Sequence, residues 1–149
     1  MSNRQRNILT YVFMNTIMCI CTAATALLVN VGTLTLPMYV VTLLEALIIC
    51  NLCTLIFRIP SLSIRAAMAL GRGNPSSKAV TALNGLFNAT LNNFFMNTFM
   101  TLINVGFRSA YFPAWLHGFP VLELVAVIVS FVVAPIASKI VLTYFPDPA

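Results

Sequence analysis

The sequence predicts an all-α fold: an integral membrane four-helix bundle built from two tandem two-helix repeats in the same orientation. Composition and a repeated motif support this prediction. Of the 149 residues, 60% are hydrophobic and 7% are charged, whereas soluble domains carry about 25% charged residues. A chain with so few charges lacks the polar side chains that a water-facing surface requires. We therefore expect a membrane protein and exclude a soluble one.

The repeated motif divides the chain into two halves. Residues 14–18 (MNTIM) lead through an apolar stretch to an Asn-Val-Gly sequence at 30–32, and residues 96–100 (MNTFM) lead to a second Asn-Val-Gly at 104–106. A proline-containing turn and a second apolar run follow each Asn-Val-Gly. Self-similarity of this kind indicates duplicated structural units. The predicted repeats are residues 1–70 and residues 71–149.

The first repeat contains two predicted spans. Residues 8–31 and 38–57 are apolar stretches, and each reaches the roughly 20 residues that a helix needs to cross a bilayer. Residues 32–37 form the turn between them. Residues 61–71 (SLSIRAAMALG) then predict a short basic amphipathic helix that lies at the inner interface.

The second repeat follows a linker rich in glycine. Asn74 and Pro75 suit the N-cap and the first turn of a helix, so the third helix is predicted over residues 75–105, longer than a membrane requires. Residues 107–117 predict an outer segment. Its tyrosine, tryptophan and histidine anchor it at the interface. The fourth span is predicted over residues 119–141.

The positions of the basic residues predict the orientation. Under the positive-inside rule, the side with more lysine and arginine faces the cytoplasm. In the four-span arrangement one side holds seven of the eight basic residues, namely Arg4, Arg6, Arg58, Arg65, Arg72, Lys78 and Lys139. The net charge of +5 therefore reflects topology and not nucleic-acid binding. Both termini are expected on the cytoplasmic side.

Two glutamates are the first candidate site residues. Glu45 and Glu123 are two of only three acidic residues, and each lies in the second apolar run of its repeat. An acid inside a membrane span is energetically costly and suggests a function. Both are predicted in the outer part of the hydrocarbon, Glu123 shallower than Glu45. They either bind a cation, a proton or a cationic solute, or lie at the outer interface, solvated or paired with Arg108.

The third helix supplies a second set of candidates. Asn84, Asn88 and Asn92 recur every four residues and so share one face of a helix, with Asn93 and Asn97 close by. Asparagine in hydrocarbon must find hydrogen-bond partners. The asparagines therefore either hold helices together or line a polar solute pathway, for which Asn88, Asn92 and Asn97 are the chosen candidates.

The four cysteines, at positions 19, 21, 50 and 53, are expected to be packing residues. Together with Met14 and Met18 they could suit Cu(I), but buried cysteine and methionine are ordinary apolar core residues. We therefore predict no metal and no cofactor. His117 is interpreted as an interfacial anchor. The sequence contains no phosphate-binding loop and no nucleophile–base pattern, so we do not expect an enzyme.

The second half of the chain resembles a family of short, uncharacterised bacterial membrane proteins known only as a domain of unknown function. The matching motifs are Met96-Asn97-Thr98-x-Met100, Asn104 to Phe107, Phe112 to Leu116, Phe119-Pro120 and Val133-Ala134-Pro135. The resemblance implies two spanning helices per unit and a bacterial cytoplasmic membrane. The first half looks like a divergent second copy. The resemblance implies no catalytic residue, cofactor or substrate.

Two functions from different classes fit the sequence. The first is a small transporter or channel for a small or cationic solute, with the glutamates near its outer mouth. The second is a non-transporting interaction protein, such as an accessory or immunity subunit, in which the glutamates face a partner. The expected partners are the lipid bilayer and a second copy of the chain, because four helices bury little surface against one another.

The charge pattern makes a testable prediction about topology. Single cysteines introduced at positions 34 and 72 of a cysteine-free variant should differ in their reaction with a membrane-impermeant thiol reagent applied to intact cells. Position 34 should be labelled, because the turn between the first two spans lies outside. Position 72 should react only after the membrane is broken. Labelling of position 72 but not position 34 in intact cells would contradict the orientation.

Overall fold

The computed structural model describes residues 3–71 and 77–145, and every regular element in these ranges is an α-helix. The helices are α1 (Asn3–Asn30), α2 (Leu36–Ile56), α3 (Ile59–Leu70), α4 (Lys78–Val105) and α5 (Tyr111–Tyr144). The all-α class is confirmed. Segments of α1, α2 and α5 are long and apolar enough to cross a membrane, which supports a membrane protein. The predicted cap at Asn74 and Pro75 lies outside the described residues.

The two Asn-Val-Gly sequences end two of the helices in the same way. Gly32 follows α1 with φ +75°, and Gly106 follows α4 with φ +71°. Glycine adopts this left-handed conformation without the steric penalty that a Cβ atom brings, and it is common just after the C-terminus of a helix. The repeated motif therefore ends the first helix of each half.

Helix α4 contains the most asparagine of the long helices. It is not among the three that are apolar enough to be identified as spans, because its 28 residues include Asn84, Asn88, Asn92, Asn93, Asn97 and Asn104. The first five of these lie toward other helices, and four of them are buried. Four membrane spans, and their origin in two tandem repeats, remain predictions.

Helices α2 and α3 are separated by a sharp break. Arg58 adopts the left-handed conformation, with φ 50° and ψ 45°, which a non-glycine residue adopts rarely. Pro60 follows within the first turn of α3, where its missing N–H costs no helical hydrogen bond. The predicted amphipathic helix is therefore present. It buries Ile59, Ser63 and Ala67 and packs against α4.

Helix α5 begins earlier than the sequence analysis predicts. Residues 107–117 are predicted as an outer segment between two spans, but α5 starts at Tyr111. Pro113 lies in the first turn, where proline is tolerated. Aromatic residues spaced by three or four positions then stabilise the helix: Phe112 stacks on Trp115 and Trp115 stacks on Phe119, with 4.6 Å between the ring centroids of the second pair.

The long helices form a ring. α1 packs against α2 and α5, and α4 packs against the same two helices, so α1 and α4 are diagonal partners. They meet at the centre, where the Thr22 hydroxyl lies 3.8 Å from the sulfur of Met96. The buried apolar cluster consists of Met18, Cys19, Ala46, Cys50, Ala89, Met96 and Ala126. Its small side chains let the helices approach closely.

The packing of the cysteines predicts the result of removing them. Cys19, Cys50 and Cys53 are buried and Cys21 is half-buried. Replacing all four by alanine should leave a folded protein whose free energy of unfolding is lower by about 1 kcal/mol for each buried sulfur. The measurement is the midpoint of thermal unfolding in detergent, which should be lower than in wild type. Cys21→Ala alone should be close to wild type. Stoichiometric copper or zinc in the wild-type protein that the variant loses would contradict a packing role.

Candidate functional site: two cavities and the layer between them

A large cavity lies at one end of the bundle. It has a volume of about 760 Å³ and lies between α1, α2, α4 and α5, at the end that holds the turns after Asn30 and Val105. This end is called outer below, in line with the predicted topology. The polar side chains in its lining are Thr22, Asn30, Thr42, Glu45, Asn97, Thr101, Asn104 and His117. Among the described lining residues, Glu45 supplies the carboxylate and none is lysine or arginine.

Helix α5 contributes to the wall of this outer cavity at a glycine. A Cβ atom on Gly118 would lie 3.5 Å from Asn30 and 3.6 Å from Asn97, so these two amides pack close to the α5 backbone. The Asn97 amide also donates a hydrogen bond to the carbonyl of Trp115, at 3.2 Å. The outer cavity is therefore a largely apolar space that also contains amides, hydroxyls and one acidic side chain, Glu45, which is half-buried.

A second, smaller cavity lies toward the opposite end. It has a volume of about 340 Å³ and lies between α1, α4 and α5. Its polar lining side chains are Thr10, Tyr11, Thr81, Asn84, Asn88 and Ser138. None of the described lining residues is acidic or basic. This inner cavity therefore offers hydroxyl and amide groups, whereas the outer cavity offers a carboxylate as well.

A packed layer separates the two cavities. Along α1 the inner cavity reaches Met14 and the outer one reaches Thr22; along α4 the corresponding limits are Asn88 and Met96. On each helix the two limits are eight residues apart, or about 12 Å at 1.5 Å per residue. Most of the buried apolar cluster described above lies in this layer, and its Ala46 and Met96 also line the outer cavity.

The layer also contains a hydrogen-bonded relay of three side chains, from α1, α2 and α4. Asn15 donates to the Thr54 hydroxyl at 3.0 Å, and Thr54 donates to the side-chain oxygen of Asn92 at 2.8 Å. The Cys50 thiol approaches the same oxygen at 3.6 Å. Asn92 in turn donates to the backbone carbonyl of Asn88 at 2.9 Å. Asn92 therefore holds helices together, one of the two roles that the sequence analysis proposed for the asparagines.

Glu123 lies apart from both cavities, at the interface of α4 and α5. Thr90 donates its hydroxyl to one carboxylate oxygen at 2.5 Å, and Asn93 donates its amide to the other at 2.8 Å. Arg108 is exposed in the turn between α4 and α5. The partners that Glu123 has in the structure are therefore Thr90 and Asn93 and not Arg108.

Counted from the first residue of each helix, Glu123 lies farther along than Glu45. Glu45 follows the first residue of α2 by nine positions and Glu123 follows the first residue of α5 by twelve, which correspond to about 14 Å and 18 Å. The predicted order of the two glutamates in the membrane, with Glu123 shallower, stays a prediction.

The predicted site residues do not form one site. Glu45 and Asn97 line the outer cavity, and Asn88 lines the inner one. Of the other three, Asn92 lies in the packed layer, Glu123 lies at the α4–α5 interface and Arg108 lies in the exposed outer turn. His117, predicted as an anchor, lines the outer cavity. The sequence analysis missed Thr54, for which no pattern in the sequence gave a reason.

The structure also shows which parts of the repeated motif are equivalent. Asn30 and Asn104 both line the outer cavity. Met14 lines the inner cavity, whereas Met96 lines the outer one. The two Met-Asn-Thr segments therefore lie at different levels of the bundle, which accounts for their unequal distances from the Asn-Val-Gly sequences. Only the Asn-Val-Gly sequences correspond in position.

Comparison with known proteins agrees with the resemblance of the second half. Residues 77–145 match the family model of a domain of unknown function (DUF2798). The matched range contains α4 and α5 with Glu123, Thr90 and Asn93, and the family description assigns it no activity. No curated protein and no solved structure matches the chain.

The relay predicts that Asn92 is important for stability. Asn92→Leu should leave the Thr54 hydroxyl without its acceptor and lower the free energy of unfolding by about 1–3 kcal/mol. The measurement is denaturant or thermal unfolding in detergent. Asn51→Ala is the matched control, because Asn51 donates only to the Leu47 carbonyl of its own helix. Equal stability of the two variants would contradict the role of the relay.

Proposed function

We propose that the protein is a small membrane transporter or channel for a small cationic solute, which enters the outer cavity and binds beside Glu45. The observation that carries this proposal is the lining of that cavity, in which one carboxylate lies among amides, hydroxyls, His117 and apolar side chains. Its volume of about 760 Å³ falls in the range of about 300–1,000 Å³ that is typical of small-molecule sites.

Charge selects the class of solute. A carboxylate inside a membrane protein is costly unless a cation or hydrogen-bond donors stabilise it. The described lining offers Glu45 no lysine or arginine, so a bound cation would supply the missing positive charge. The side-chain oxygens of Asn30, Asn97 and Asn104 could accept hydrogen bonds from an ammonium or guanidinium group. An anionic solute would instead be repelled by Glu45.

A pathway across the bundle would run from the outer cavity through the packed layer to the inner cavity. A solute that leaves the outer cavity must pass the layer of about 12 Å before it reaches the amides and hydroxyls of the inner cavity. The ring order α1, α2, α4, α5 is also the order that a pseudo-twofold axis along the membrane normal would give, as in transporters built from parallel repeats.

The proposal includes the remaining predictions about organisation. These are four spans from two tandem repeats, a homodimer, both termini in the cytoplasm, a bacterial cytoplasmic membrane, no cofactor and no enzymatic activity. The alternative is an accessory or immunity protein that binds a partner in the membrane. It is supported by two large aromatic side chains at the outer end, Phe107 (87% exposed) and Phe112 (64% exposed), and it predicts binding without flux.

Flux through purified protein in liposomes tests the proposal. Methylammonium, guanidinium and tetraethylammonium serve as cationic probes, and benzoate serves as the anionic comparison. We expect protein-dependent uptake of at least one cation and none of benzoate. Glu45→Gln keeps the shape of the side chain and removes its charge, so it should reduce cation uptake at least tenfold, equivalent to about 1.4 kcal/mol of binding.

Two controls complete this experiment. Glu45→Asp keeps the charge and should retain part of the uptake, and Asn51→Ala changes a polar residue of the same helix that does not line the cavity. Uptake by the Glu45→Gln variant equal to wild type would remove Glu45 from the pathway. Absence of flux for every probe, together with co-purification of a membrane protein that Phe107→Ala releases, would favour the alternative function.

A further inference from the structure

We propose that the solute of the outer cavity is an amphipathic organic cation, which places an ammonium group beside Glu45 and an apolar body against the apolar side chains of the same cavity. This inference rests on the proposed function, because it names the class of solute for the same site. Its test is equilibrium binding, which gives a result even where no flux is found.

The first observation is the chemistry of the cavity wall. Apart from the polar side chains named above, the lining consists of alanine, valine, leucine, methionine and proline. A hydrophilic cation would lose water at this wall and gain no hydrogen bond in return, which is unfavourable. An alkyl group placed there gains affinity instead, by up to about fourfold for each methylene that it buries. The wall therefore favours a cation that carries an apolar body.

The second observation is the position of the carboxylate within the cavity. The lining extends over nine residue steps, about 14 Å, on three helices: Thr22 to Val31 on α1, Pro37 to Ala46 on α2 and Met96 to Val105 on α4. Glu45 is next to Ala46, the lining residue of α2 farthest from the outer end. Eight residues, about 12 Å along the helix, separate Glu45 from Pro37. An ammonium group held at Glu45 therefore leaves space on the outer side for the rest of the molecule.

Helix α2 carries the charge and part of the apolar wall on one face. Met38, Val41 and Glu45 are separated by three and four positions, so they lie on the same side of the helix, and all three line the cavity. Val41 is one turn from Glu45, about 6 Å along the axis. Leu27 of α1 and Met100 of α4 belong to the same lining. An alkyl chain attached to a bound ammonium group therefore reaches Val41 once it is a few carbons long.

Three methionines widen the range of solutes that fit. Met38, Met96 and Met100 line the cavity, and the flexible thioether side chain adapts to irregular shapes and is common at surfaces that bind several partners. None of the described lining residues is phenylalanine, tyrosine or tryptophan, so they supply no aromatic cage of the kind that selects a quaternary ammonium group. Recognition then depends on the charge of Glu45 and on apolar contact, which together select a class of cations and not one compound.

The same lining is a poor site for a metal ion. Calcium and magnesium need about six or more oxygen ligands directed at one point, and the described lining supplies a single carboxylate, from Glu45. The described residues contain no cluster of three or more histidine, cysteine or acidic side chains that could hold a metal ion. An organic cation needs only one carboxylate to compensate its charge.

Binding of ethyl-, butyl- and hexyltrimethylammonium to the protein in lipid nanodiscs tests this inference. The measurement is displacement of radiolabelled hexyltrimethylammonium, with binding to protein-free nanodiscs subtracted. Affinity should rise along the series, by up to about fourfold for each added methylene. Equal affinity for the ethyl and hexyl compounds would overturn the inference.

Matched variants of α2 separate the two parts of the site. Glu45→Gln should weaken the binding of every compound at least tenfold and leave the ratio between hexyl and ethyl unchanged. Val41→Thr replaces a methyl group by a hydroxyl of similar size and should weaken hexyl binding by about threefold, whereas the ethyl chain is too short to respond. Val40→Thr is the control, because Val40 is on the same helix and is not part of the cavity lining. Equal hexyl binding by Val41→Thr and Val40→Thr would contradict the apolar contact.

The outcomes distinguish this inference from the proposed function. Binding that rises with chain length and depends on Glu45, without flux of any probe, would support the amphipathic site and overturn transport. Uptake of methylammonium that depends on Glu45, with equal binding of ethyl and hexyl, would do the reverse. Equal hexyl binding by wild type and Glu45→Gln would show adsorption to apolar surface only and would overturn the site. If Glu45→Gln does not fold, the comparison of Val41→Thr with Val40→Thr decides.

Discussion

Hydrogen bonds between the amides of α4 and the surrounding helices dominate this structure. In hydrocarbon no water is available to satisfy a polar group, and α4 carries more amides than any other helix. These bonds tie α4 to α2, α3 and α5. The side-chain pairs are Ser63 with Asn84, Thr54 with Asn92, and Glu123 with Asn93, and Asn97 bonds the backbone carbonyl of Trp115.

The same constraint explains why the bundle has two cavities and not one continuous channel. In the relay Asn15–Thr54–Asn92, polar side chains of α1, α2 and α4 bond to one another at one level of the bundle. Small apolar side chains fill the remaining space at that level. Above and below, amides and hydroxyls face open space.

The sequence predicted the features that depend on composition and on local backbone chemistry. The helices follow from long apolar stretches, and the ends of α1 and α4 follow from Gly32 and Gly106. Partners could not be predicted, because Thr54 and Asn92 are separated by 38 positions and neither residue type specifies the other. The start of α5 was missed because Pro113 was interpreted as part of an outer segment, although the spacing of Tyr111, Trp115 and Phe119 is helical.

The glutamates of the two halves of the chain have different surroundings. Each half pairs a helix that ends in Asn-Val-Gly with a second helix that carries one glutamate, but Glu45 lines a cavity while Glu123 bonds to the neighbouring helix of its own half. The difference follows from the first helices. α4 offers Thr90 and Asn93 to the glutamate of α5, whereas α1 uses Asn15 to bond Thr54, nine residues beyond Glu45. Glu45 therefore lines the outer cavity, whereas Glu123 accepts hydrogen bonds from Thr90 and Asn93.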